Sequence, residues 1–77
     1  GLARQDDVVA GRARLDWLTG AMARLSVELR ETVALVLGEE LTQAQAGEVL
    51  GVSEGTIAWR MAEVKKRLRV MAEQEAK

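Results

Sequence analysis

Positive charge concentrated near the end of the chain is the clearest chemical feature of the sequence. Between Glu54 and Val70 there are five basic residues and two acidic ones. Between Ser26 and Ser53 the balance is reversed, with one basic residue against five acidic ones, and the net charge of the whole chain is −1. Clustered lysine and arginine side chains attract phosphate groups, although a solvated amphipathic helix would carry similar charges. The cations are Arg60, Lys65, Lys66, Arg67 and Arg69.

Composition argues against enzymatic chemistry. The 77 residues include no histidine and no cysteine, which removes the usual general base, the usual metal ligands and any disulfide framework. No group of carboxylates is clustered beside a plausible cleft. The sequence therefore predicts a protein that is not an enzyme, with no cofactor, no metal site and no small-molecule substrate.

The basic stretch belongs to a pair of helices joined by a short turn. Thr42 and Gln45 form a T-x-x-Q capping box that starts the first helix, and Gly51 suits the left-handed residue just past its end. Ser53 can cap the second helix, and Glu54 places negative charge at its positive end. The second helix is thus predicted to begin about two residues after the first one stops.

Gly47 and an apolar stripe on the second helix indicate how the two helices pack together. Gly47 lies in the interior of the first helix, where glycine costs about 1 kcal/mol relative to alanine, so we expect the second helix to approach closely there. A short capped helix, a glycine-containing turn and a longer helix are typical of the helix-turn-helix, whose second helix can lie in a DNA major groove. The alternative is an αα-hairpin of a small bundle. The stripe recurs at four, three, four and three residues and consists of Ile57, Met61, Val64, Leu68 and Met71.

Two further helices are predicted upstream, which gives an all-α, four-helix domain with a C-terminal helix-turn-helix. The first runs from Arg12 to Leu25. The second runs from Val27 to about Leu37, with Ser26 as its cap and Gly38 as its stop. The predicted core positions of the first are Leu15, Leu18, Met22 and Leu25; those of the second are Leu29, Val33, and Val36 or Leu37.

The ends of the chain suggest its domain organisation. Residues 1–11 show no sustained period and are predicted to be a linker or a frayed helix that follows an absent core-binding domain, with the helix-turn-helix domain occupying residues 12–77. No apolar run is long enough to span a membrane and no signal peptide is recognisable, so we expect a cytoplasmic protein with no membrane association.

This order of helices resembles region 4 of bacterial sigma factors, in particular the extracytoplasmic-function group, a winged-helix-like domain without a wing. The resemblance extends from about Arg12 to Val70, and the run GVSEGTI followed by Arg60 and a basic pair is its most specific part. The LuxR-type DNA-binding domain is the alternative, but its preceding helix usually starts closer to the turn pair than the gap from Leu25 to Thr42 allows. The matching residues are Leu25, Leu29, Arg30, Leu41, Thr42, Leu50, Gly51, Val52, Ser53, Glu54, Gly55, Thr56, Ile57, Arg60, Met61, Lys66 and Leu68.

The resemblance implies three partners: the −35 element of promoter DNA, read by the last helix; the flap of the RNA polymerase β subunit, bound by the earlier helices; and an inhibitory anti-sigma factor. Thr42 and Thr56 would contact phosphate through the hydroxyl or the backbone N–H, and Arg60 would be a phosphate anchor. Ala58, Trp59 and Ala62 would lie where family members read bases, and Lys65, Lys66 and Arg69 would add attraction to the DNA backbone. The predicted DNA-binding residues are Thr42, Glu54, Gly55, Thr56, Ala58, Trp59, Arg60, Ala62, Glu63, Lys65, Lys66 and Arg69.

The sequence also departs from the family pattern. Family members commonly carry basic residues at the positions of Val36, Ala58 and Glu63, which are uncharged or acidic in this chain. Because fewer cations attract phosphate less strongly, this domain should bind DNA weakly by itself and depend on polymerase for effective concentration. Glu63 can still accept a hydrogen bond from cytosine N4. Trp59 has three interpretations: contact with a thymine methyl or a sugar, docking into a protein partner, or packing along its own surface. The apolar outward face also permits a different function, that of a sigma-like decoy for an anti-sigma factor.

Overall fold

The computed structural model describes the backbone of residues 2–75 and the side chains of residues 11–75. Four α-helices follow one another as α1 (Leu2–Ala23), α2 (Val27–Val33), α3 (Gln43–Leu50) and α4 (Glu54–Glu75). A π-helical turn at Ala34–Gly38 continues α2. Because all the regular structure in the described part of the chain is helical, the predicted all-α, four-helix architecture is confirmed.

Helix α1 differs from its prediction at both ends. It begins at Leu2, ten residues before the predicted start at Arg12, and it ends at Ala23. Residues 2–11 are therefore helical in the structure, and no break in the helix marks the proposed boundary at residue 11. The existence of a preceding domain stays a prediction.

The predicted core stripe of α1 is wrong in its first half. Leu15 and Leu18 are 66% and 41% exposed, whereas Ala21 is buried and Met22 packs against the core. A helical period of apolar residues correctly predicted a common face, but among the described side chains of α1, residues 11–23, only those of the last turn pack against the core. The upstream part of that face therefore points to solvent.

Arg30 closes the end of α1. Its Nη1 atom donates to the carbonyl oxygens of Ala23 at 3.0 Å and of Leu25 at 2.9 Å. Carbonyls at the end of a helix have no intrahelical partner, so this side chain satisfies them and ties α2 to the end of α1. Ser26 accepts from the backbone N–H of Leu29 at 3.4 Å, which confirms the predicted cap of α2.

The predicted helix from Val27 to Leu37 is present but ends in a widened turn. The backbone N–H of Glu39 donates to the carbonyl of Ala34 at 2.9 Å, the five-residue spacing of a π-helix. Of the two alternatives for the last core position, Val36 packs against the core and Leu37 is 65% exposed. Glu40, in the loop before α3, has a φ of 57°, the left-handed region that few non-glycine residues adopt.

Two apolar clusters hold α4 along its length. The first contains Leu25, Leu29 and Val64 and joins the end of α1, α2 and the C-terminal half of α4. The second contains Ala46, Ile57 and Met61 and joins α3 to the N-terminal half of α4. Val33 touches both clusters. The predicted stripe on α4 is confirmed, because its remaining members Leu68 and Met71 pack on the first cluster.

Candidate nucleic-acid interface

Helix α3 is fixed at both ends by the residues that the sequence singled out. The Thr42 hydroxyl accepts from the backbone N–H of Gln45 at 3.1 Å, and the Gln45 Oε1 atom accepts from the backbone N–H of Thr42 at 2.9 Å. The capping box is therefore complete. At the other end Gly51 has a φ of 71°, the left-handed conformation predicted for a helix stop.

Gly47 permits the close contact that shapes the turn. A Cβ atom at this position would lie 2.6 Å from the carbonyl oxygen of Val52, so there is no room for one. The backbone N–H groups of Gly51 and Val52 both donate to the Gly47 carbonyl, the second at 2.9 Å. The predicted close approach is confirmed, but the neighbour is the backbone of the turn, beginning with Val52, rather than the body of the second helix.

Ser53 sets the start of α4. Its Oγ atom accepts from the backbone N–H of Thr56 at 3.1 Å and lies 3.0 Å from the Thr56 hydroxyl. Its carbonyl accepts from the backbone N–H of Ile57 at 3.2 Å. Thr42 and Thr56 are both predicted to contact phosphate through the hydroxyl or the backbone N–H. In the structure both groups of each residue take part in helix caps, and each hydroxyl retains only part of its hydrogen-bonding capacity for DNA.

The buried stripe of α4 directs the opposite face to solvent. Ile57 is fully buried, and Met61 and Val64 are nearly so. Trp59 lies on the opposite side and is 63% exposed. Of the other predicted site residues on α4, Thr56, Arg60 and Glu63 are half-buried along its edges, and the exposed ones are Glu54, Gly55, Ala58, Ala62, Lys65, Lys66 and Arg69. Eleven of the twelve predicted residues therefore lie on α4. The twelfth, Thr42, is exposed at the N-cap of α3.

Arg67 was absent from the predicted site, although it lies beside it. Its Nε atom is 3.2 Å from Oε1 of Glu63, one helical turn earlier. The spacing of four residues between an acid and a base could have revealed this pair. Arg67 and Glu63 also line a groove of about 340 Å³ between the start of α2 and α4, together with Ser26, Glu28, Leu29, Trp59 and Arg60.

Candidate metal clusters and candidate membrane spans are absent from the part of the chain that the structure describes. Residues 11–75 contain no group of three or more acidic, histidine or cysteine side chains that could hold a metal ion. Of the described helices, none is long and apolar enough to cross a membrane.

Residues 21–70 match the family model described as Sigma-70, region 4. This chain belongs to the sigma-70 region 4 family. No significant match was found among curated proteins, and none was found among solved structures. The matched range runs from the last turn of α1 through most of α4, so it contains both core clusters and the whole helix-turn-helix.

Membership of the region 4 family decides several predictions made from the sequence. Region 4 recognises the −35 promoter element during transcription initiation, so it binds promoter DNA and RNA polymerase, and the family is not enzymatic. The match favours the sigma-factor interpretation over the LuxR-type alternative. The extracytoplasmic-function subgroup, the individual DNA-contacting residues and the inhibitory partner are finer predictions that this match does not reach.

Proposed function

We propose that this chain is region 4 of an extracytoplasmic-function sigma factor, with α4 lying in the major groove of the −35 element. The observation that carries the proposal is the exposed face of α4, held rigidly outward by two apolar clusters and a capped turn. The GVSEGTI run with Arg60 supports the subgroup. Such a domain would act in the cytoplasm, where promoter DNA is found.

The distribution of charge along α4 supports two kinds of DNA contact. The recognition helix of a helix-turn-helix contacts base edges with its N-terminal residues, and Ala58, Trp59 and Ala62 are exposed in that part of α4. Lys66 and Arg69 are exposed further along, where phosphate contacts would position the helix without reading sequence. Arg60 lies on the edge of α4, where it would anchor phosphate beside the bases.

Exposed apolar side chains outside α4 support docking on RNA polymerase. Leu15 and Leu18 on α1 are 66% and 41% exposed, Val27 at the start of α2 is 54% exposed, and Leu37 is 65% exposed. Large apolar side chains on the helices that precede the helix-turn-helix suit a protein partner, since a few well-buried anchor side chains supply most of the binding energy at protein interfaces. We assign this surface to the flap of the β subunit.

Inhibition by an anti-sigma factor is the regulation that we propose. Such a partner would cover both the exposed leucines and the exposed Trp59 ring, which are large apolar side chains left open to solvent. Burial of a surface that otherwise meets DNA or polymerase would prevent initiation. Pull-down with the wild-type chain and with a Trp59→Ala variant tests whether that ring contributes to the complex.

Salt-dependent binding tests the DNA-binding part of the proposal. Fluorescence anisotropy of the chain on a mixed pool of duplexes would be measured across a salt series, for the wild type and for a Lys66→Glu, Arg69→Glu variant. Each lost phosphate contact reduces the slope of log affinity against log salt by about 1, so the double variant should lose about 2. An Arg12→Glu, Arg14→Glu variant makes the same change of charge on exposed residues of α1 and should change the slope little.

Transcription tests the assignment directly. In the full-length factor, Arg60→Ala should abolish promoter-directed transcription by polymerase, because a phosphate anchor next to the bases is lost. Arg24→Ala, which removes an exposed arginine outside α4, is the control. Undiminished transcription with Arg60→Ala would refute the role given to α4.

A decoy function is the second candidate, and the exposure of Trp59 is the observation that favours it. A sigma-like module that had lost promoter recognition would titrate an anti-sigma factor through its apolar face. It would bind that partner and show no selectivity among duplexes. Recovery of specific duplex binding, with no anti-sigma protein captured, would remove this candidate.

A further inference from the structure

We propose that α4 selects its DNA site mainly by apolar contact with thymine C5-methyl groups, rather than by hydrogen bonds to base edges. This inference rests on the proposed function, in which α4 lies in the major groove. It concerns the source of sequence selectivity, which membership of the family leaves open.

The side chains at the centre of the outward face contain almost no polar atoms. Gly55, Ala58 and Ala62 are exposed and carry no side-chain donor or acceptor. Trp59 is 63% exposed and has one polar atom, the indole N–H, which can only donate. The first turns of α4 therefore present a nearly apolar surface to whatever lies opposite.

Of the three polar side chains at the edges of this face, Thr56 and Glu63 are already engaged, and Arg60 is half-buried and assigned above to phosphate. The Thr56 hydroxyl lies 3.0 Å from the Ser53 hydroxyl in the helix cap. The Glu63 carboxylate is paired with Arg67 at 3.2 Å. Hydrogen-bond readout of bases commonly uses arginine, lysine, asparagine or glutamine in two-point contacts, and none of these residue types occurs between Glu54 and Trp59.

The remaining charged groups are poorly placed to read many bases. Glu54 is exposed at the first residue of α4 and can accept a hydrogen bond from one base. Lys66 lies on the outward face twelve residues after that start, about 18 Å along the helix axis at about 1.5 Å per residue. The N-terminal residues of a recognition helix face the bases, so Lys66 is better placed to contact phosphate.

The major groove offers one apolar group to such a surface. Thymine carries a C5-methyl there that adenine, guanine and cytosine lack, and alanine and aromatic side chains are suited to contact that methyl. A cytosine amino group or a guanine carbonyl placed against Ala58 or Ala62 would lose water and gain no partner. Selectivity would then come from attraction to methyl groups together with rejection of unpaired polar edges.

Replacing thymine by deoxyuridine tests the inference, because it removes the methyl and preserves base pairing and every hydrogen-bonding atom. The preferred duplex would first be selected from the mixed pool with the chain at low salt. Each thymine would then be replaced singly by deoxyuridine, and each cytosine by 5-methylcytosine. We expect at least one thymine at which deoxyuridine weakens binding about fourfold, the factor expected for burial of one methyl-sized group.

Trp59→Ala identifies the side chain responsible. In this variant the ratio of affinities for the thymine and deoxyuridine duplexes should fall towards one at the affected position, while the salt slope stays unchanged. Trp17→Ala, which removes the other tryptophan from α1, is the matched control and should keep the wild-type ratio. Circular dichroism of both variants would verify that the helices are retained.

The outcomes separate this inference from the function on which it rests. In one outcome, the chain binds one duplex selectively and keeps the same affinity when each thymine is replaced by deoxyuridine. That result would overturn methyl recognition and leave the promoter-binding function standing. A thymine-free preferred site would do the same. Absence of any selective duplex binding by the chain would overturn methyl recognition, and the transcription test with Arg60→Ala would then decide the promoter-binding function.

Discussion

Replacement of Gly47 by alanine is the sharpest test of how the helix-turn-helix is held together. The added Cβ atom would lie 2.6 Å from the Val52 carbonyl oxygen, and the carbonyl carbon of Ser53 and the backbone nitrogen of Glu54 lie 3.4 Å and 3.5 Å away. These neighbours are backbone atoms, which no change of rotamer can move. The turn itself would have to shift, and with it the start of α4.

Two opposing terms set the size of the effect. Alanine is favoured over glycine in a helix interior by about 1 kcal/mol. Overpacking of a well-packed site costs roughly 1–3 kcal/mol, and we take the upper end because the clash is with backbone. The expected net loss is about 2 kcal/mol of unfolding free energy, which lowers the melting temperature of a domain this small by roughly 8–16 °C.

Gly20→Ala is the matched control, because it makes the same chemical change where no atom lies within 4 Å of the added Cβ. Gly20 lies inside α1, so this variant should gain up to about 1 kcal/mol and melt at a higher temperature. Thermal unfolding of both variants followed by far-ultraviolet circular dichroism gives the comparison. If Gly47→Ala melted at or above the wild-type temperature, close backbone contact at Gly47 would not be what holds the turn in shape.

Three further substitutions test local features of the backbone. Gly51→Ala should lose about 1–2 kcal/mol in urea unfolding, since φ at this residue is 71° and a side chain disfavours that region. Glu40→Asn should gain up to about 1 kcal/mol by calorimetry, because φ at Glu40 is 57° and asparagine tolerates it better; no gain would show that the conformation costs little. Ser53→Ala should lose about 1 kcal/mol, as the backbone N–H of Thr56 loses its cap, whereas Ser53→Asp should retain most of the stability.

The parts of the fold that the sequence predicted best are those decided by short-range chemistry. Thr42 with Gln45, Ser53 and Gly51 each mark a helix end through hydrogen bonds or backbone conformation within a few residues, and all three ends are confirmed. The stripe on α4 was also predictable, because a period of three and four residues over five positions has no competing interpretation.

The features that the sequence did not predict depend on contacts made elsewhere. Leu15 and Leu18 share a helical face with Met22. The neighbouring sequence does not indicate that, of these three side chains, only Met22 packs against the core. The π-helical turn at Ala34–Gly38 likewise has no recognised signal in the sequence. The error at Leu15 and Leu18 arises because periodicity predicts which residues share a face but not how much of that face is covered.

The direction in which α4 points depends on both core clusters. The N-terminal half, which would read bases, packs on α3 through Ile57 and Met61. The C-terminal half is held through Leu68 and Met71, which pack on the cluster that contains Leu25 and Leu29. Because one continuous helix spans both clusters, a shift of α2 against the C-terminal half would rotate or tilt the half that faces DNA. A partner that displaced α2 could therefore weaken promoter recognition without covering Ala58 or Trp59, which distinguishes inhibition by distortion from inhibition by simple burial of the reading face.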